Sequence, residues 1–303
     1  MKEFVLLISI ILFIPLAFGQ KKEKDSDLKN DNLFGQIKTI QTIESVAFVE
    51  NNSIEKGEMI SFLFKKYNIG GYLLESSEYN LDGSLMQKEV FEYDKKNNRI
   101  CELLFTENDK IEQRIEIKYN TLKLPVKMFV KNEKRITIQK TTYQYNEKGE
   151  LTRLTGYDDR GKMAERSYYW YDSKGNLIQY TGYGEFDNQK ISHKFNAENK
   201  VTESLCLDLK GNFIEKIVYQ YDGSSVKKIY LDKDNKPLKS EYFVYDKQEN
   251  LLEITFFDEK GNDTESYSFI YQHDNSDNWI IQTTYTGKER KLVSITQRII
   301  EYY

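Results

Sequence analysis

The stretch Tyr169-Trp170-Tyr171-Asp172-Ser173-Lys174-Gly175-Asn176-Leu177 decides how this chain folds. Alternating rings at 169 and 171 suit a strand with one buried face. Asp172 can bond back to the local backbone, and Gly175 accepts the positive φ that a tight reversal needs, so Leu177 opens a second strand running back. Working outward, a Tyr or Phe followed by Asp or Asn recurs at Tyr67, Tyr93, Tyr119, Tyr145, Tyr171, Phe195, Tyr221 and Tyr245, and Tyr271 continues the series before Gln272. The spacings are 26, 26, 26, 26, 24, 26, 24 and 26 residues, a period that marks a repeat array.

Two positions before most marks stands a large apolar residue, as at Phe91, Ile117, Tyr143, Tyr169, Tyr219, Phe243 and Phe269, while the position between is more often polar. Each unit also carries a second turn halfway along, as in Asp158-Asp159-Arg160-Gly161, Asp208-Leu209-Lys210-Gly211 and Asp258-Glu259-Lys260-Gly261. One unit is therefore strand, turn, strand, turn. No long segment beyond the N-terminus keeps a helical period. The pattern predicts an all-β fold, an antiparallel meander of about 18–20 strands built from the repeat. Laid side by side at ~4.8 Å, so many strands are too wide for a flat open sheet, and their twist implies an elongated, twisted or coiled meander. A four-stranded propeller blade would consume two units, which fits nine marks poorly.

The motif Tyr171-Asp172-Ser173-Lys174-Gly175-Asn176-Leu177 resembles the YD repeat of Rhs-type proteins, with looser copies at Tyr93-Asp94, Tyr145-Asn146-Glu147-Lys148-Gly149-Glu150-Leu151 and Tyr245-Asp246-Lys247-Gln248-Glu249-Asn250-Leu251. The resemblance covers residues 67–303 and implies a β-sheet shell or an adhesive surface. In length, and in lacking a C-terminal toxin, the chain is more similar to the short secreted YD-repeat proteins of Bacteroidetes-type bacteria.

The first residues give an address. Lys2, an apolar run from Phe4 to Phe18, and Ala17-Phe18-Gly19 before Gln20 read as a signal peptide over residues 1–19. The run falls short of the ~20 residues that span a bilayer. An exported protein of the periplasm, cell surface or exterior is expected, with no membrane span after cleavage. Residues 20–34 read as a charged, solvated tether, 35–66 as a capping β-hairpin with strands at Gln36–Val49 and Met59–Phe64, and 67–303 as the array.

Composition narrows the chemistry. With 39% hydrophobic and 30% charged residues the chain is neither wholly disordered nor collagenous, and a net charge of −4 offers no general attraction to nucleic acid or anionic lipid. Cys101 and Cys206, about four repeats apart, are expected as free thiols, and two His make a His-rich metal site improbable. His193 takes a slot normally filled by an aromatic and reads as packing, while His273 beside Asp274 and Asp277 offers at most a weak metal site. The acidic turns lack the spacing of a calcium loop. No nucleophile elbow, Walker loop or dinucleotide fingerprint occurs. Carboxylate pairs for a glycosidase are too numerous on such a sheet to discriminate. No cofactor or metal is expected.

The repeated rings read as core. The off-register aromatics Tyr168, Trp170, Tyr180, Tyr183, Tyr230 and Trp279 are the candidates for a ligand surface, first of all around Tyr168 to Tyr183. The expected function is an exported, non-enzymatic binding or structural module with a protein or glycan partner at the cell envelope. The alternatives are a carbohydrate-binding protein using these aromatics, and a glycoside hydrolase.

Overall fold

The computed structural model describes residues 26–51, 53–184 and 188–303, so the expected signal peptide lies outside the described residues. Apart from one short helix, α1 (Asp27–Asn30), regular structure is all strand, in a 20-stranded sheet whose described pairings are antiparallel. Two compact units divide it, Ile117–Phe129 with Thr137–Lys216 in one, and Asp25–Glu116, Val130–Ile136 and Ile217–Tyr303 in the other.

The repeat gives strands of 7 to 11 residues, from β3 (Leu73–Tyr79) through β4 (Leu85–Tyr93) and β5 (Arg99–Phe105) to β18 (Asp263–His273). The Tyr-Asp pair has a physical job at each reversal. Asp94 Oδ1 accepts the backbone N–H groups of Lys96 (2.8 Å) and Asn98 (2.9 Å), and its Oδ2 accepts from the Asn98 side chain at 2.8 Å. Asn97 then takes φ 59°. The same cage recurs at Asp172 with Asn176, where Gly175 supplies φ 86°. These bonds hold the Asp94 and Asp172 carboxyls below the usual carboxylate range, the side-chain bond from the following Asn being the largest cause. The preceding Tyr ties one unit to the last. Tyr93 Oη donates to the Leu73 carbonyl at 2.7 Å, Tyr145 to Pro125 at 2.7 Å and Tyr271 to Leu251 at 2.8 Å, each twenty residues back. Two positions earlier, Phe91, Tyr143 and Tyr169 are buried as core.

The ends of the array depart from expectation. β1 (Ile37–Glu50) and β2 (Ser53–Tyr67) do form a hairpin, but β2 starts well before Met59: of the stretch Asn51 to Gly57, which reads as a loop, residues 53–57 run on as strand, with register shifts around Ser45. The other edge of β1 pairs with β20 (Lys291–Tyr302), from Ile37 opposite Tyr302 to Val46 opposite Ser294. The expected elongated, coiled meander is corrected at its ends: the first and last strands, β1 and β20, pair with each other. Two open edge strands would leave rows of unpaired N–H and C=O groups, and this pairing satisfies them.

Residues 26–34, expected as part of a solvated tether, are anchored by two side chains while residues 29–32 and Phe34 stay exposed. Leu28 and Leu33 are buried in one cluster with Ile37, Ile40 and Tyr67. Asp27 accepts from the Leu73 backbone (2.7 Å) and from Tyr93 Oη (3.0 Å), and Leu28 N donates to the Gly71 carbonyl at 3.0 Å. Gly71 is required here: at φ +78° a Cβ would lie 3.0 Å from the Ser26 hydroxyl. Across the closure, Tyr303 Oη donates to the Tyr67 carbonyl at 2.7 Å.

Burial also places an unusual charge. Glu102 on β5 faces Phe91 across the strand pair and lies 3.7 Å from Arg99, yet burial pushes its carboxyl up to about 7. Since that is above the ordinary 4.5, the folded state holds more protons than the unfolded one between those values. Stability is thus greatest below that window and falls as pH rises through it. Replacing Glu102 with Gln is expected to remove up to ~3 kcal/mol of the loss between pH 5 and pH 8, at 1.36 kcal/mol per pKa unit. Denaturant titrations of both proteins at the two pH values check this; parallel pH profiles would contradict it.

Candidate functional site

Cross-strand partners share a face of a sheet, so register alone assembles the site. Its strands all belong to one compact unit: β9 (Leu151–Tyr157), β10 (Met163–Tyr171), β11 (Leu177–Gly184), β12 (Gln189–Phe195) and β13 (Val201–Asp208). One row runs Arg153, Tyr168, Thr181, Lys190, Leu207, and a second runs Trp170, Gln179, Ser192, Leu205. Arg166 and Tyr183 pair in a third row on the same face. Tyr168 stands 6.1 Å from Trp170 and meets the Tyr183 ring edge-on at 6.0 Å.

A groove of about 440 Å³ opens beside these rings, walled by Trp170, Tyr183 and Lys190, and closed on one side by the turn Asp208–Gly211. Gln179 and the buried Thr181 also line it, offering an amide and a hydroxyl. Trp170 is 43% exposed and Tyr183 45%, a large apolar area left in water for two rings on one face. Asp208 is not a free carboxylate: it accepts the N–H groups of Lys210 (2.8 Å) and Asn212 (2.7 Å) and the Asn212 amide, and these bonds, the amide's foremost, hold its carboxyl below the usual range. Arg153 and Arg166 bring two guanidinium groups to the face, each with its Nε buried and unpartnered among the described residues.

The other sequence candidates go elsewhere. Tyr180 projects from the opposite face, 5.3 Å from Tyr169 and 3.3 Å by its hydroxyl from Ser167 Oγ. Tyr230 on β15 (Ser225–Leu231) lies under Lys239 Nζ at 4.1 Å. Trp279, which opens β19 (Trp279–Thr286), has the Arg298 guanidinium over its ring at 3.4 Å and the Tyr271 ring tilted beside it at 5.8 Å. Both belong to the other compact unit. Gln179, Thr181, Lys190, Leu207 and the turn Asp208–Gly211 are groove residues that sequence reading missed; for Thr181 the signal was available, since it alternates with Tyr183 on one strand.

His193 sets Nδ1 2.8 Å from Ser204 Oγ and its ring edge-on to Phe195, and burial lowers its pKa. Glu89 and Glu102, two carboxyls that burial raises, lie on β4 and β5, strands that do not line the groove. Cys101 and Cys206 are free thiols. Among the described residues no group of three or more His, Cys, Asp or Glu is placed to hold a metal ion, and no helix is long and apolar enough to cross a membrane.

No known protein family's sequence profile matches the chain, and no curated protein does. Among solved structures, the TcdB2-TccC3-Cdc42 crystal structure is similar over 86% of this chain and 16% of that one, at 10% identity and a TM-score of 0.43. A porin-like protein from Bacteroides uniformis is similar over 88% of this chain and 98% of its own, at 10% identity and 0.35. The Photorhabdus luminescens Tc holotoxin pore is similar over 76% and 15%, at 12% identity and 0.34. The chain spans only that small fraction of the toxin chains. What is established is a β-repeat protein, and that rests on the repeat itself.

Proposed function

We propose that this is an exported, non-enzymatic β-repeat protein of the YD type, a binding module of the cell envelope or exterior, and that it takes a saccharide in the groove beside Trp170 and Tyr183. The observation that carries the reading is the pair of exposed rings on one face beside a groove with amide and hydroxyl groups in its lining. Flat rings suit the C–H faces of a sugar, and Gln179 and Thr181 suit its hydroxyls. The export half rests on the leader-like residues 1–19. No carboxylate pair shares the groove lining, which favours binding over glycoside hydrolysis.

Screening a glycan array and titrating the best oligosaccharide by calorimetry tests this. Changing Trp170 and Tyr183 together to Ala is expected to weaken binding at least tenfold, about 1.4 kcal/mol, with the melting temperature unchanged because both rings are exposed. Unchanged affinity, or steady release of reducing ends from the same sugar, would reject it.

A further inference from the structure

The β1–β2 hairpin is far longer than the repeat hairpins, at 14 and 15 residues. β3 pairs with β2 only from Phe62 onward, and β20 reaches β1 only as far as Val46. The tip is therefore a two-stranded ribbon held only to itself by strand pairing. On β2 the outer edge from Ser53 to Ser61 has no strand beside it among the described residues. Ribbons of this kind are marginal alone and are usually short or guarded by Lys and Pro. This one carries Phe48, Val49, Ile54 and Ile60 at 42% to 64% exposure. Register puts Phe48 with Glu55 on one face and Val49 with Ile54 on the other.

Charge identifies the occupant. Glu50, Glu55 and Glu58 have no ion pair among the described residues, and the tip's one cation, Lys56, is bonded to Gln297. A second copy set against this edge would bring acid to acid. An anionic lipid surface would be repelled, and the tip has no Trp or Tyr to anchor it.

We propose that the outer edge of β2 over Ser53–Ser61 is a strand-addition site for an extended segment of a protein partner with Lys or Arg at alternate positions between apolar residues. Backbone N–H and C=O groups supply the attraction, the exposed branched side chains of β2 pack on the added strand, and the carboxylates select the charge. The site is separate from the groove and does not depend on it.

The test uses the whole chain with a synthetic peptide of alternating Lys and Val, a control with Pro at every third position, and a Glu-Val counterpart. The Lys-Val peptide is expected to slow amide exchange over residues 53–61 at least tenfold, while the Pro control has no effect. The double variant Glu55→Lys, Glu58→Lys should reverse the preference toward the Glu-Val peptide, again by tenfold or more. Because the tip lies beyond the pairing of the hairpin with β3 and β20, the variant should keep the parent's melting temperature. Equal protection by all three peptides, no protection by any, self-association of the free protein through the tip, or binding of the tip to anionic phosphatidylserine vesicles would each overturn the proposal.

Discussion

Changing Tyr67 to Ala is expected to lower the stability of the fold by ~3–5 kcal/mol, read from denaturant unfolding, the range for removing a buried aromatic. Tyr67 has 0% exposure and is the largest side chain in the cluster formed by Leu28, Leu33, Ile37 and Ile40. That cluster brings together the packed N-terminal segment, β1 and the end of β2, with Ile300 and Tyr302 of β20 partly buried against it. The cavity would thus open where the two ends of the chain meet. Tyr67→Phe keeps the ring and gives up only the hydroxyl contact to Asp31 at 3.3 Å, which Lys65 still engages at 2.9 Å, so a loss of ~1 kcal/mol is expected. A loss under ~1 kcal/mol for the Ala variant would mean that this cluster is not the core of the closure.

The second large effect is expected at Asn278, 2% exposed in the turn before β19. Its Oδ1 accepts the Phe34 N–H at 2.8 Å, and its Nδ2 donates to the Phe34 carbonyl at 2.8 Å and to Tyr302 Oη at 2.9 Å. One side chain thus acts as a strand-like partner for residue 34 and fixes the last strand to it. Asn278→Ala leaves a part-buried backbone N–H and C=O of Phe34 without this partner, at roughly 1–3 kcal/mol for each group left unpaired, and a total loss of ~2–4 kcal/mol is expected. Asn278→Asp keeps the acceptor and loses both donors, so it should fall between Ala and the parent. If Ala and the parent unfold together, the latch has no energetic role.

Local chemistry was legible in the sequence and long-range chemistry was not. The Tyr-Asp marks located the reversals because Asp94 and Asp172 act on residues two and four ahead, within reach of any reading of turn residues. The rings at Phe91, Tyr143 and Tyr169 are core, as their period required. The closure escaped because Ile37 and Tyr302 pair across nearly the whole chain, and neither has a periodic partner to announce it. Leu28, Leu33 and Phe34 are the only large apolar residues in a charged stretch, and composition outweighs them. The candidate site was half legible. Tyr168, Trp170 and Tyr183 share a face because 168 and 170 alternate on one strand and 183 falls in phase on the next. Tyr180 is one residue out of phase, which alone sends it to the opposite face. Tyr230 and Trp279 depend on which cation lies over them, and that is set by neighbouring strands.

Amide hydrogen exchange of the intact chain tests the closure most directly. If β20 lies against β1, amides over residues 39–45 and 294–300 exchange as slowly as those of the β3–β4 pair and are released together in one cooperative opening. Exchange of 294–300 within seconds, while 39–45 stays protected through β2 alone, would show an open edge at β20 and contradict the closed array.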